Sequence, residues 1–253
     1  MKNILVLFGI LLALHTNAYA QKIGMSRLLE PEQTDSINII ELPRLGLAMP
    51  LGGDSVMIID NECPVIHVSA LANAHRDFIA TDSAFYFSEG NFIYAISPDG
   101  KSHEQVAVLD NEQFTMYPAV GSSFFVVTAD DDYSCCQLFD PINHVYSDVL
   151  QINGPIYKVA ANENHLIVWA GDHLLLVGEK GKAVPLLTEP TLRDFVLTPK
   201  GIVIAANEGI YLYKSLKEQI RIAPVCATRL WYVADILYIL SDSGALVALY
   251  EEE

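Results

Sequence analysis

Four places in this chain set charged or hydrogen-bonding residues ahead of an apolar run. They are Arg76-Asp77 before Phe78, Glu112-Gln113 before Phe114, Arg193-Asp194 before Phe195, and Thr228-Arg229 shortly before Trp231. Arginine beside a carboxylate supports two roles. Its planar guanidinium takes a carboxylate in a two-pronged grip, so converging pairs would hold a small ligand or a peptide end. The same pairs can instead bridge neighbouring elements and fix their register, with little net gain when exposed. The residues expected at a binding mouth are Arg76, Asp77, Glu112, Arg193, Asp194 and Arg229. A third chemistry needs oxygen ligands only. Asp77, Glu112, Asn162, Asp194 and Asp235 could hold a divalent cation for a metal-dependent hydrolase or lyase. Arg76, Arg193 and Arg229 recur at the same level and oppose a cation there.

Other catalytic spacings are missing. There is no G-x-S-x-G elbow, no H-E-x-x-H pair and no phosphate-binding P-loop. Asp130-Asp131-Asp132 begins like a calcium loop, but Cys135 stands where such a loop needs glycine and Pro141 where it needs glutamate. An acidic hairpin tip is the expected structure. Cys135 and Cys136 are adjacent, too close for an ordinary disulfide with each other. A Cys63–Cys226 bridge is conceivable, and so are buried free thiols; no C-x-x-C suggests zinc. The histidines His67, His75, His103, His144, His165 and His173 sit at expected turns or strand ends. No metal and no cofactor enters the leading reading.

The elements that must position these residues follow from a repeat. Arg76-Asp77-Phe78 lies 117 residues before Arg193-Asp194-Phe195, three units of 39. Phe78, Phe114, Tyr157, Phe195 and Trp231 open successive units at intervals of 36, 43, 38 and 36 residues. Periods of this size mark solenoids, arrays or propellers. Leu192 to Tyr213 reads as two short strands and a turn. Val, Ile, Tyr and Phe dominate the runs, and Glu-Gly, Asp-Gly, Lys-Gly and Ser-Gly punctuate them, as strands and tight turns require. No stretch past the first twenty residues sustains a helical period. Four antiparallel strands per unit, repeated, describe a β-propeller blade.

The expected fold is all-β, a propeller of six blades over residues 36–253. The last unit is one strand short, and Ser36–Leu42 (SINIIEL) is expected to supply that strand and close the ring. Residues 45–73 form a short first unit that lacks a strand. Residues 21–35 look like a polar N-terminal arm. Residues 1–20 read as a signal peptide, with Lys2, the apolar run Ile4–Leu14 and the small-x-small site Ala18-Tyr19-Ala20. The run is short for a membrane span. A periplasmic or secreted monomer is expected, without a membrane span after cleavage. The net charge of −16, or −17 without Lys2, argues against nucleic acid.

Segments such as ILYILSDSGALVALY and GIVIAANEGIYLYK resemble the repeats of six- to eight-bladed propellers of the NHL, YVTN and quinoprotein type. The resemblance covers most of residues 21–253. The Gly-His and Trp-Asp pairs of WD40 repeats are missing, the kelch double glycine occurs once at Gly52-Gly53, and the quinoprotein tryptophan pattern and the sialidase Asp-box are absent. The resemblance therefore implies a superfamily. It allows a non-enzymatic scaffold binding an envelope protein, peptide or glycan. It also allows a hydrolase with a channel metal. Asp35-Ser36-Ile37, Asp54-Ser55-Val56 and Asp82-Ser83-Ala84 resemble Bacteroidetes O-glycosylation acceptors, although Asp-Ser is also ordinary turn chemistry.

Overall fold

The structure, a computed structural model, describes residues 23–29, 39–42, 46–52, 55–58, 65–67, 78–81, 84–96 and 102–251. The chain divides into two compact units: Ser36–Pro190, and Thr191–Glu253 with Met1–Asp35. β1 (Ile23–Leu29) belongs to the second unit. The first unit holds four sheets of four strands in sequence order. They are β2 (Ile40–Leu42), β3 (Gly46–Gly52), β4 (Ser55–Ile58) and β5 (Val65–His67); β6 (Ile79–Ala80), β7 (Phe85–Glu89), β8 (Phe92–Ile96) and β9 (His103–Val108); β10 (Phe114–Pro118), β11 (Phe124–Ala129), β12 (Tyr133–Asp140) and β13 (Val145–Asn153); and β14 (Ile156–Ala161), β15 (Leu166–Ala170), β16 (His173–Val177) and β17 (Ala183–Thr188). In the second unit β18 (Leu192–Thr198), β19 (Gly201–Ala206), β20 (Gly209–Ser215) and β21 (Glu218–Ala223) make one sheet. β22 (Ala227–Val233), β23 (Ile236–Ser241) and β24 (Leu246–Glu251) make another, in the order β1-β24-β23-β22.

The apolar runs explain how the sheets stack. β11 reads FFVVTA, with four buried residues in a row. Alternation along a strand sends Phe124 and Val126 to one face and Phe125 and Val127 to the other. The first pair packs with Tyr86, Ile93 and Met116, the second with Leu150, Val159 and Val168. β11 thus contributes to two cores, one shared with the preceding sheet and one with the following sheet. A strand covered on both faces needs no polar alternation. In the second unit Val203 and Ala205 of β19 pack with Leu230, Leu237 and Leu249 across the next sheet. Two turns there depend on glycine. Gly201 (φ 137°) and Gly209 (φ 148°) press against neighbouring strands, so an added Cβ would meet the Tyr213 and Ala223 carbonyl oxygens at 2.2 and 2.6 Å.

Four expectations change. An N-terminal strand does complete the last sheet, but it is Ile23–Leu29 rather than Ser36–Leu42; Ile23 pairs with Glu251 and Met25 with Leu249. The presumed arm at 21–35 therefore contains a strand. Gly24, Ser26 and Arg27 dilute its composition, yet Ile23, Met25 and Leu29 keep a strand spacing, interrupted by a register shift between Arg27 and Leu29. Ile40–Leu42 instead pairs with Gly46–Ala48, and so supplies the first strand that residues 45–73 lacked. Leu192–Tyr213 spans three strands rather than two, because Asn207-Glu208 is a second tight turn. The expected leader at 1–20 lies outside the described residues, as do Cys63, His75, Arg76 and Asp77.

The aromatic landmarks also shift. β14, β18 and β22 each carry a register irregularity near their start, at Ile156/Lys158, Leu192/Asp194 and Ala227/Arg229. A bulge places two residues opposite one and re-aims the side chain it inserts. By this register Tyr157, Arg193 and Thr228 are equivalent. Tyr157 is therefore not the counterpart of Phe195, and burial agrees: Tyr157 is 50% exposed and Phe195 0%.

Candidate functional site

In the second unit, Asp194 follows the inserted residue of β18 and is buried. Its carboxylate accepts from its neighbour Phe195 N at 2.8 Å and, across to the adjacent sheet, from Leu230 N at 2.7 Å. A carboxylate that takes two backbone N–H groups in the interior satisfies donors that would otherwise be orphaned. Arg193 turns outward. Its Nε donates to Asn207 Oδ1 at 2.6 Å, and its Nη1 donates to both carboxylate oxygens of Asp242 at 2.5 and 2.6 Å. Asp242 lies in the β23–β24 turn, so Arg193 also joins β18 to the neighbouring sheet. Arg229 and Thr228 are exposed, and Thr228 Oγ1 donates to Leu240 O at 3.3 Å. The Asn207-Glu208 turn is held from the side: Cys226 Sγ donates to the Asn207 carbonyl at 2.8 Å, and Arg221 donates to the Glu208 carbonyl.

Of the oxygen ligands weighed for a cation, Asn162, Asp194 and Asp235 are engaged with the protein's own groups, and Asp77 lies outside the described residues. Among the described residues no three His, Cys, Asp or Glu side chains form a group able to hold a metal. Asn162 Oδ1 caps its own turn, accepting from Asn164 N and His165 N at 3.0 and 2.8 Å. Asp235 sits in the β22–β23 turn and accepts from Tyr232 Oη at 3.1 Å; burial first, then that hydrogen bond and the nearby charge, push the phenol up to about 12. Cys226 carries a free thiol; Cys63, the other half of the conceivable bridge, lies outside the described residues. Cys135 and Cys136 are also free, and burial pushes the Cys136 thiol up to about 12, which makes it a poor nucleophile at neutral pH. Asp130, Asp131 and Asp132 occupy the β11–β12 turn as exposed residues.

The first unit carries a different constellation, which the charge pairs did not point to. Tyr157 at the start of β14 lies against Trp169 of β15, ring centroids 5.0 Å apart and tilted by 49°. Trp169 Nε1 donates to Gly171 O at 2.8 Å, and Tyr117 Oη donates to the Tyr157 carbonyl at 2.8 Å. These bonds orient the pair while half of Tyr157 stays in solvent. The same edge is acidic. Asn111 Nδ2, next to Glu112, reaches Ala129 O before the Asp130–Asp132 tip, and Gly154 N, three residues before Tyr157, reaches Asp132 O. Tyr133, beside that tip, is 40% exposed. Beyond Trp169, Asp172 pairs with His173 at 3.0 Å, and Glu189 N donates to the Asp172 carbonyl. Glu112 is the one residue of the expected binding mouth that falls on this edge; Arg76 and Asp77 are outside the described residues.

Charge is distributed unevenly between the units. Residues 36–190 contain 20 Asp and Glu against 6 Lys and Arg, a net −14, while the remainder of the chain nets −2. The acidity is therefore local, and a running count along the sequence locates it.

No family model matches the chain, and no curated protein matches it. Solved structures do. A luciferin-regenerating enzyme is similar at TM-score 0.62 and 11% identity, over 90% of this chain and 95% of that one. YCF48 bound to D1 peptide is similar at TM-score 0.54 and 12% identity, over 93% and 99%. The extracellular domain assigned to a one-component system of B. thetaiotaomicron is similar at TM-score 0.52 and 10% identity over 80% of this chain, which spans 31% of that chain. At such identities the likeness concerns fold and leaves activity open. Sheets of four antiparallel strands, repeated in order along the chain, together with these likenesses, show a β-propeller fold.

Proposed function

We propose that the protein is an exported, non-enzymatic propeller of six blades, closed by its N-terminal strand, that binds a protein or peptide. The observation that carries this reading is the Tyr157–Trp169 pair, held in place by hydrogen bonds and half open to solvent at a blade edge. Large aromatic side chains oriented by a rigid scaffold give contact area at low entropic cost, and they are enriched at the centres of interfaces. A propeller of the same fold was solved with a peptide bound, and another as an extracellular domain. The hydrolase reading has less support, since Asp194, Asn162 and Asp235 are engaged with the protein's own groups.

The test is a random peptide library displayed against the immobilised protein, with the Trp169→Leu protein as counter-selection. Enrichment of sequences that fail on Trp169→Leu is the expected result. A library that shows no enrichment, or enrichment indifferent to Trp169, overturns the reading.

A further inference from the structure

We infer that the Tyr157–Trp169 edge docks a cationic peptide segment, one presenting Lys or Arg to the aromatic pair. The inference rests on the peptide-binding reading above and specifies its chemistry. Two aromatic rings 5.0 Å apart, one of them half exposed, offer electron-rich faces to a cation. The rim beside them is acidic. Asp131 and Asp132 are exposed at the tip whose carbonyl bonds Gly154, three residues before Tyr157. Asp172 is exposed in the turn to which Trp169 is anchored. Lys158 is the basic residue in this segment, directly opposite Trp169 in the strand pairing, and the unit around it still nets −14. A negative surface of this size raises the encounter rate with cations and repels acidic chains.

The occupant is therefore a basic segment rather than a neutral or acidic one. Simple counter-charge attraction would act anywhere on this unit; the aromatic pair localises it.

Fluorescein-labelled decapeptides alternating Gly-Ser with Lys, Arg, Gln or Glu are titrated against the wild-type protein and against Tyr157→Ala, Trp169→Leu and Asp131→Asn/Asp132→Asn proteins. Anisotropy is read at about 0.05 and 0.15 M salt, bracketing a Debye length of roughly 8–14 Å. Matching thermal melts establish that each variant is folded. The Lys and Arg peptides are expected to bind about tenfold or more tightly than the Gln peptide, and the Glu peptide not at all. Tyr157→Ala and Trp169→Leu, which leave the charge intact, are each expected to weaken the Lys and Arg peptides about fivefold. The double Asp variant should lose affinity mostly at low salt. Equal binding of Lys and Gln peptides overturns the cationic inference while the peptide reading stands. Basic peptides indifferent to both aromatic substitutions also overturn it, because the attraction is then diffuse. Absence of binding by every peptide overturns inference and peptide reading together.

Discussion

Where β18 begins, the inserted residue is Arg193 and the next is Asp194, and both reach the neighbouring sheet. Where β14 begins, the inserted residue is Tyr157; its backbone carbonyl takes a hydrogen bond from Tyr117, and its ring faces Trp169 and solvent. The turns differ in the same sense. In the first unit, the backbone N–H after the fourth strand closes onto the β-turn between strands two and three, as Leu109 does on Asn91, Gly154 on Asp132 and Glu189 on Asp172. In the second unit the corresponding Asn207-Glu208 turn is held by the side chains of Cys226 and Arg221. One repeat position thus serves attachment in one unit and presentation in the other. Conserving the backbone plan leaves the side chain at the bulge free to take either role.

Substitutions separate the two kinds of joint. If the first unit is joined through aromatic packing, Phe124→Ala should have the largest effect. Its ring lies 4.8 Å from Tyr86 and 5.2 Å from Phe139, and it is fully buried. A loss of about 4 kcal/mol is expected, read as a lowered urea midpoint; a loss below about 1 kcal/mol would mean the sheets re-close around the gap. Asp194→Ala should follow at about 3 kcal/mol, since it leaves Leu230 N–H buried without its acceptor. Amide exchange at Leu230 should rise in step, and unchanged protection there would show that the carboxylate does not join the sheets.

Tyr117→Phe removes one hydroxyl and its bond to the Tyr157 carbonyl. A cost of about 1 kcal/mol is expected, or a melting temperature lower by about 2–4 °C for a chain of this length. The more telling readout is the fluorescence of Trp169, which should shift if Tyr157 loses its orientation. Arg193→Ala should matter least. Its salt bridge to Asp242 is partly exposed, with side chains 34% and 43% accessible, so the expected cost is below about 1 kcal/mol and should fade in high salt. A large, salt-independent loss would put Arg193 alongside Asp194 as a structural joint.

Strand chemistry was legible because it is local. β-branched and aromatic runs with Gly-containing turns set most strand positions from residue 78 onward. The spare N-terminal strand was also foreseen as a need, but assigned to Ser36–Leu42. Composition favoured that segment, since SINIIEL is more apolar than IGMSRLL; pairing with β24 is a long-range fact that composition cannot contain. The Tyr157 displacement has a similar cause. β14 and β18 share the bulge, so Val159 stands where Phe195 does; Tyr157 and Phe195 match as aromatics only, two positions apart in the repeat. Asp194 is expected at a binding mouth or in an Arg–Asp bridge; its carboxylate takes the backbone N–H groups of Phe195 and Leu230, a role no side-chain spacing announces. Tyr157 and Trp169 lie twelve residues apart, and their contact becomes visible only once β14 and β15 are paired.

The antiparallel pairing of Ile23 with Glu251 also sets an order of events. The residues that complete the last sheet precede their partner by 228 positions along the chain, so they leave the ribosome well before it. Until β24 arrives, β1 has no ladder to join. Until β1 returns, β24 presents an open row of hydrogen-bonding groups, the kind of edge that recruits strands from other molecules. The interval between those two moments, rather than any single sheet, is where this chain is most exposed to misassembly.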